Sequence, residues 1–238
     1  MTAFSLKMIA LTSMLIDHFA HVFGGRLVEL ALVPVMRAVG RLAFPIFVYF
    51  IGEGFRRTSD VKKYLMRLGV FALISEIPFD LAINNARTYP AQPIVWLEFS
   101  SQNIFFTLFL GLLAAYIHNL GSRDNSSRLL LLLPLPFVLG HIMQVDYGVI
   151  GVALVFFCSI VECRWHRLGV VLVGGLAVYL PLGGSFAVML IIGHIFALAL
   201  LSLYNGVQGP RLKWLFYTFY PLHLLALFGL LVLYESLV

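Results

Sequence analysis

The stretch FSLKMIALTSMLIDHFAHVF, residues 4–23, is apolar and long enough to cross a bilayer, yet it carries Asp17, His18 and His21. Ionisable groups at membrane depth are costly. They are found facing a bundle interior or a watery cavity, where they pair or react. On a helix, Asp17 and His21 lie about 40° apart and His18 about 100° from Asp17, so the three share one face. The first segment therefore predicts a transmembrane helix with one polar side.

The rest of the chain agrees with a membrane setting. Of its 238 residues, 61% are hydrophobic and only 11% charged, with a mean hydropathy of +0.96. Soluble domains carry about 25% charged residues. Apolar stretches separated by Gly, Pro, Asn or charge clusters predict roughly nine spans: residues 4–23, 38–55, 64–83, 103–119, 129–143, 147–161, 168–182, 186–204 and 214–234. The fifth carries Pro134 and Pro136 and is expected to kink or to span only partly. No polar stretch is long enough for a soluble domain, so residues 1–238 read as one all-α, polytopic transmembrane domain. Lys7 and the apolar run after it mimic a signal peptide, but Asp17, His18 and the lack of a small-residue cleavage site mark a retained span.

The net charge of +5 first reports topology in such a chain, and no nucleic-acid module is present. With the N-terminus cytoplasmic, most Lys and Arg, from Lys7 through Arg211 and Lys213, fall inside. Only Arg26, Arg37, Arg41 and Arg87 fall outside. That bias predicts an extracytoplasmic C-terminus and an odd number of spans. Cys158 and Cys163 have no zinc-type partner spacing and read as packing thiols, and no metal site is predicted.

With this orientation several spans bring polar groups to similar depth in the outer leaflet. Asp17, His18 and His21 come from the first span, and Arg37 and Arg41, one turn apart, from the start of the second. Glu76 and Asp80 lie on the third, Asn103 at the start of the fourth, and Tyr220 and His223 on the last. A shared polar chamber follows, with Arg41 facing Asp17, Glu76 or Asp80. For each group, pairing for packing alone stands beside substrate contact. On the cytoplasmic side Arg56, Arg57, Lys62, Lys63 and Arg67 form the densest basic stretch, suited to anionic lipid headgroups or to a phosphorylated cofactor. Glu53 lies one turn before Arg57 and is placed to pair with it.

The ordered blocks LKMIALTSMLIDHFAHVF, GRLAFPIFVYFIGEGFRR, YLMRLGVFALISEIPFDLA, NIFFTLFLG, DYGVIGVALV and FYPLHLLAL resemble the TraX family of membrane proteins over nearly the whole chain. The resemblance implies a bacterial cytoplasmic-membrane acetyltransferase that draws on cytosolic acetyl-CoA and acts on an extracytoplasmic acceptor. In the pilin acetylase of the family that acceptor is the pilin N-terminus. By motif it implicates Asp17 and His18 in LIDHF, Arg41 in GRLAFP, Asn103 in NIFFT and His223 in YPLHLL. Glu76 and Asp80 in SEIPFD match relatives other than the pilin acetylase, which leaves an amine or hydroxyl on an envelope peptide or glycan equally open.

Acyl transfer from a thioester needs a base, donors for the developing oxyanion, and a place for the thioester. His18 is the expected base, with a carboxylate such as Asp17 steadying it, although Asp17 is also placed to orient His21 or Arg41. Arg41 and Asn103 are the expected donors, and His223 is expected to contact the thioester or the pantetheine arm. His21, Arg37, Glu76, Asp80 and Tyr220 are expected to contact the acceptor, and the 56–67 basic stretch the CoA phosphates. Direct transfer and a transient acyl-histidine are both open. The competing class is a proton-coupled transporter using the same ionisable set, and a scaffold within a secretion or pilus assembly comes third.

Overall fold

The computed structural model describes residues 1–210 and 212–238; Arg211, assigned above to the cytoplasmic side, lies outside them. Among the described residues all regular structure is helical, apart from isolated bridges at Gly24–Val28 and Gln102–Val145. Six helical segments are long and apolar enough to cross a membrane: Ala3–Phe23, Val33–Arg57, Ile104–Arg123, Arg164–Leu182, Gly184–Ser202 and Lys213–Leu237. The chain is a polytopic membrane protein.

The three other expected spans are occupied by helices that fall short of this standard for physical reasons. Helix α4 (Val61–Phe79) carries Lys62, Lys63, Arg67 and Glu76 and turns π-helical over Asp80–Asn84, just after Pro78. Proline has no N–H to give the preceding turn, so the regular ladder is already interrupted there. The segment expected at 129–143 is split by Pro134 and Pro136 into α6 (Ser127–Leu130) and α7 (Leu135–Ile142). The segment expected at 147–161 is the short α8 (Gly148–Ile160).

The second expected span, 38–55, begins earlier than its hydropathy suggested and is broken. Helix α2 (Val33–Gly40) gives way to α3 (Ala43–Arg57) after a tight turn in which Arg41 N and Leu42 N donate to Ala38 O and Val39 O. Pro45, in the first turn of α3, cannot continue the i to i−4 ladder, so the new helix starts where its missing donor costs nothing.

The chain forms two compact units. The first contains residues Met1–Ile46, Ile74–Glu98 and Tyr179–Val238. In it α1 (Ala3–Phe23) packs on α2 and on α11 (Lys213–Leu237), and α10 (Gly184–Ser202) packs on α2. Val22, Phe23, Val28, Ala86, Leu227 and Leu231 form a core cluster. Lipid tails are as apolar as leucine, so helices associate in a membrane through close packing at small residues. Gly193 fills that role in α10: a Cβ there would run into Ala38 O of α2.

The second unit contains residues Phe47–Leu73 and Phe99–Val178. Here α5 (Ile104–Arg123) packs on α7 and α8, and Gly111 lets it approach Val152 O and Val155. Leu110, Val145 and Val152 form its core cluster. Helix α9 (Arg164–Tyr179) completes this unit.

Candidate functional site

In the first unit the Asp17 carboxylate is buried and gripped by two guanidinium groups. Arg41 Nη2 donates to Oδ1 at 2.7 Å and Arg37 Nη1 to Oδ2 at 3.0 Å. Arg41 Nε also donates to Arg37 O at 3.1 Å, which fixes the direction of its fork. Charge-assisted bonds of this kind are the strong ones, and they meet the cost of an acid at membrane depth. The clamp exists because Gly40 is a glycine: a Cβ there would overlap the Asp17 side chain, so α2 could not lie this close to α1. Of the three acids that sequence offered to Arg41, Asp17 pairs with it.

His18, the next residue of α1, does not use that carboxylate. Its Nδ1 lies 2.7 Å from Nε2 of His223 on α11. The two rings are parallel within 5° with centroids 5.0 Å apart, so at that nitrogen separation they meet edge to edge rather than face to face. His223 Nδ1 is 2.8 Å from Phe219 O. A carbonyl only accepts, so His223 Nδ1 carries a proton and donates. In neutral His223 the other nitrogen then has a lone pair, and His18 Nδ1 must be the donor across the pair. The proton of neutral His18 is thereby placed on Nδ1, and Nε2 is left as a base. Tyr220 stands edge-on to both rings and Phe219 stacks on His223, which hold the pair in place.

His21 and Asp80 of this unit bond to other groups of the protein. His21 Nε2 donates to Ile83 O at 3.0 Å, tying α1 to the π-helical turn. Asp80 is fully buried; its carboxylate accepts from Asn84 Nδ2 at 2.8 Å and from Glu98 N at 2.9 Å. Asn85, which sequence reading passed over, bonds Val95 N and O and Asp80 O through its side chain. The Asn-Asn pair at 84–85 after an apolar run was the available signal for such a turn. Glu76 is buried in the same unit.

Asn103 and the basic stretch belong to the second unit. Asn103 caps α5, accepting from Phe105 N at 3.0 Å, and donates to Ala72 O at 2.8 Å. Arg56 donates to Cys158 O, Ser159 O and Val161 O, capping the end of α8. Glu53 gathers Arg56, Arg57 and Arg167 at 3.2, 2.6 and 2.7 Å. Lys63 pairs with Asp60, Lys62 is exposed, and Arg67 lies over the Tyr64 ring. The pairing of Glu53 with Arg57 was readable from spacing; its third partner, Arg167, was not. Among the described residues no cluster of three or more His, Cys, Asp or Glu is arranged to hold a metal ion.

Comparison with known proteins adds to this geometry. A "probable fimbrial assembly protein FimC, serogroup H1" of Dichelobacter nodosus is 30% identical, over 94% of this chain and 93% of that protein. No solved structure matches. A family model described as "TraX protein" matches residues 3–231, and the chain belongs to the TraX family.

Proposed function

We propose that this protein is a membrane-embedded acetyltransferase of the bacterial cytoplasmic membrane, moving an acetyl group from acetyl-CoA to an amine or hydroxyl of an extracytoplasmic peptide or glycan. The observation that carries this reading is the His18–His223 bond, which leaves Nε2 of a half-buried histidine as an unprotonated base. The name of the Dichelobacter relative makes a pilin N-terminal amine the first acceptor to try.

In the reaction, His18 Nε2 takes the proton of the attacking N–H or O–H as the nucleophile bonds to the thioester carbonyl carbon. The C–S bond then breaks, and the proton passes from His18 to the leaving CoA thiolate. His223 keeps accepting from His18 Nδ1, so the imidazolium formed midway stays hydrogen-bonded and oriented. Arg41, its fork fixed by Asp17 and Arg37 O, is our candidate donor to the developing oxyanion. The CoA phosphates call for cations. Within the basic stretch Lys62 and Arg67 have no carboxylate partner among the described residues, which suits them to that task. The hydrogen-bond chain through His223 ends on Phe219 O, a group that accepts a proton bond but cannot pass a proton on. That favours a base over a transporter's proton relay.

The test uses purified protein, labelled acetyl-CoA and a peptide with a free N-terminal amine or a hydroxyl. His18→Ala is expected to lose transfer while CoA still raises the melting temperature by mass action. Native transfer rates in His18→Ala would overturn the proposal.

A further inference from the structure

The loop after the π-helical turn presents Val95, Trp96 and Leu97 outward, at 47%, 62% and 51% exposure. From Thr88 to Leu97 the chain holds no Asp, Glu, Lys, Arg or His. Such a tip would be a poor neighbour for water, and a loop built for water would leave its backbone to be solvated. Here the opposite is found. Val95 N donates to Asn85 Oδ1 and Asn85 Nδ2 donates to Val95 O, both at 2.8 Å. Glu98 N donates to the fully buried Asp80 carboxylate at 2.9 Å. Backbone groups on both sides of Trp96 and Leu97 are thus satisfied from inside the protein, which is what irregular backbone requires where water is scarce.

The neighbourhood points the same way. Val70, Ile74 and Ile77 recur at helical spacing on α4 and are exposed, and in a membrane protein that stripe faces lipid. Asp80, in the turn directly after α4, tethers the loop to the end of this stripe. Tryptophan with aliphatic neighbours is the composition of the belt between headgroups and acyl chains.

We propose that residues 95–97 are an interfacial anchor, inserting Val95, Trp96 and Leu97 at the headgroup–acyl boundary of the bilayer, with Asp80 and Asn85 as the clasp that presents them. The partner is the lipid surface itself, and the inference is independent of the acetyltransferase reading.

The experiment isolates Trp96 from the other two tryptophans, Trp165 and Trp214. The Trp165→Phe/Trp214→Phe protein is reconstituted into phosphatidylcholine vesicles brominated either high or low on the acyl chain. Loss of Trp96 emission is expected with bromines near the headgroup, less with bromines near the chain end, and little with aqueous iodide. Should the double variant not fold, the difference between native protein and Trp96→Phe reads the same residue. Quenching by iodide and not by brominated lipid would overturn the proposal. So would a Trp96 shielded from both, or one that becomes shielded only when an apolar peptide is added, because a protein surface rather than lipid would then cover it.

Discussion

A histidine acts as a base only from the nitrogen that carries no proton, and His18 has that choice made for it by a residue 205 positions away. His223→Ala is therefore expected to lower kcat roughly 10²-fold, the low end of what a positioned base supplies, with KM little changed. His223→Gln, whose amide oxygen can accept from His18 Nδ1, should recover part of the loss, and steady-state kinetics on the three proteins measures both effects. A fall in stability with no kcat effect would make His223 a packing residue. Helical arithmetic showed that Asp17, His18 and His21 share a face, and spacing put Arg37 and Arg41 on another, so the acid–arginine clamp was legible. The histidine pair was not, because periodicity tells which face of a helix is polar and never which distant helix lies against it. At Asn103 the local signal was also legible: an Asn before an apolar run predicts a helix cap, and its side chain caps α5.

At the scale of elements, most departures from expectation trace to proline and to charge capture. Pro45 and Pro78 interrupt helices where hydropathy ran smoothly on, whereas the break at Pro134 and Pro136 is the one their positions led one to expect. In the basic stretch, what the sequence could not show was which arginines are already engaged by neighbours in space. Arg56 is occupied with the last carbonyls of α8, where a cation also suits the helix dipole, and Glu53 draws three arginines together. Arg167 is nearly buried and lies 4.7 Å from the Tyr49 ring centroid, so it depends on Glu53 for neutralisation. Glu53→Ala should cost about 3 kcal/mol, toward the low end for a broken buried pair because Arg57 reaches solvent. Thermal melts in detergent measure it, and an unchanged melting temperature would show that the arginines find other partners.

For the whole molecule the open quantity is how many times the chain crosses. Length and composition qualify six segments, whereas the charge pattern asks for nine passes. The two can be weighed against each other. With only the six long segments crossing and the N-terminus inside, Arg123, Arg128, Arg164 and Arg167 fall outside together with Arg26, and the inside excess disappears. Counting α4, α6 with α7, and α8 as passes returns those residues to the inside and leaves only Arg26, Arg37, Arg41 and Arg87 out. Orientation follows the lysine and arginine bias near span ends, so the short and broken helices are expected to cross, stacked against longer neighbours such as α5 that cover their exposed backbone. The ends of the chain must then lie on opposite faces. Cys163 is exposed between α8 and α9, and Cys158 is buried, so the native chain already offers one reporter. In intact cells a membrane-impermeant maleimide should leave Cys163 unlabelled and label a cysteine placed at Val238→Cys; after lysis both should react. Labelling of Cys163 from outside, or protection of position 238, would overturn the nine-pass, N-inside arrangement; both together are what six crossings from an inside N-terminus predict.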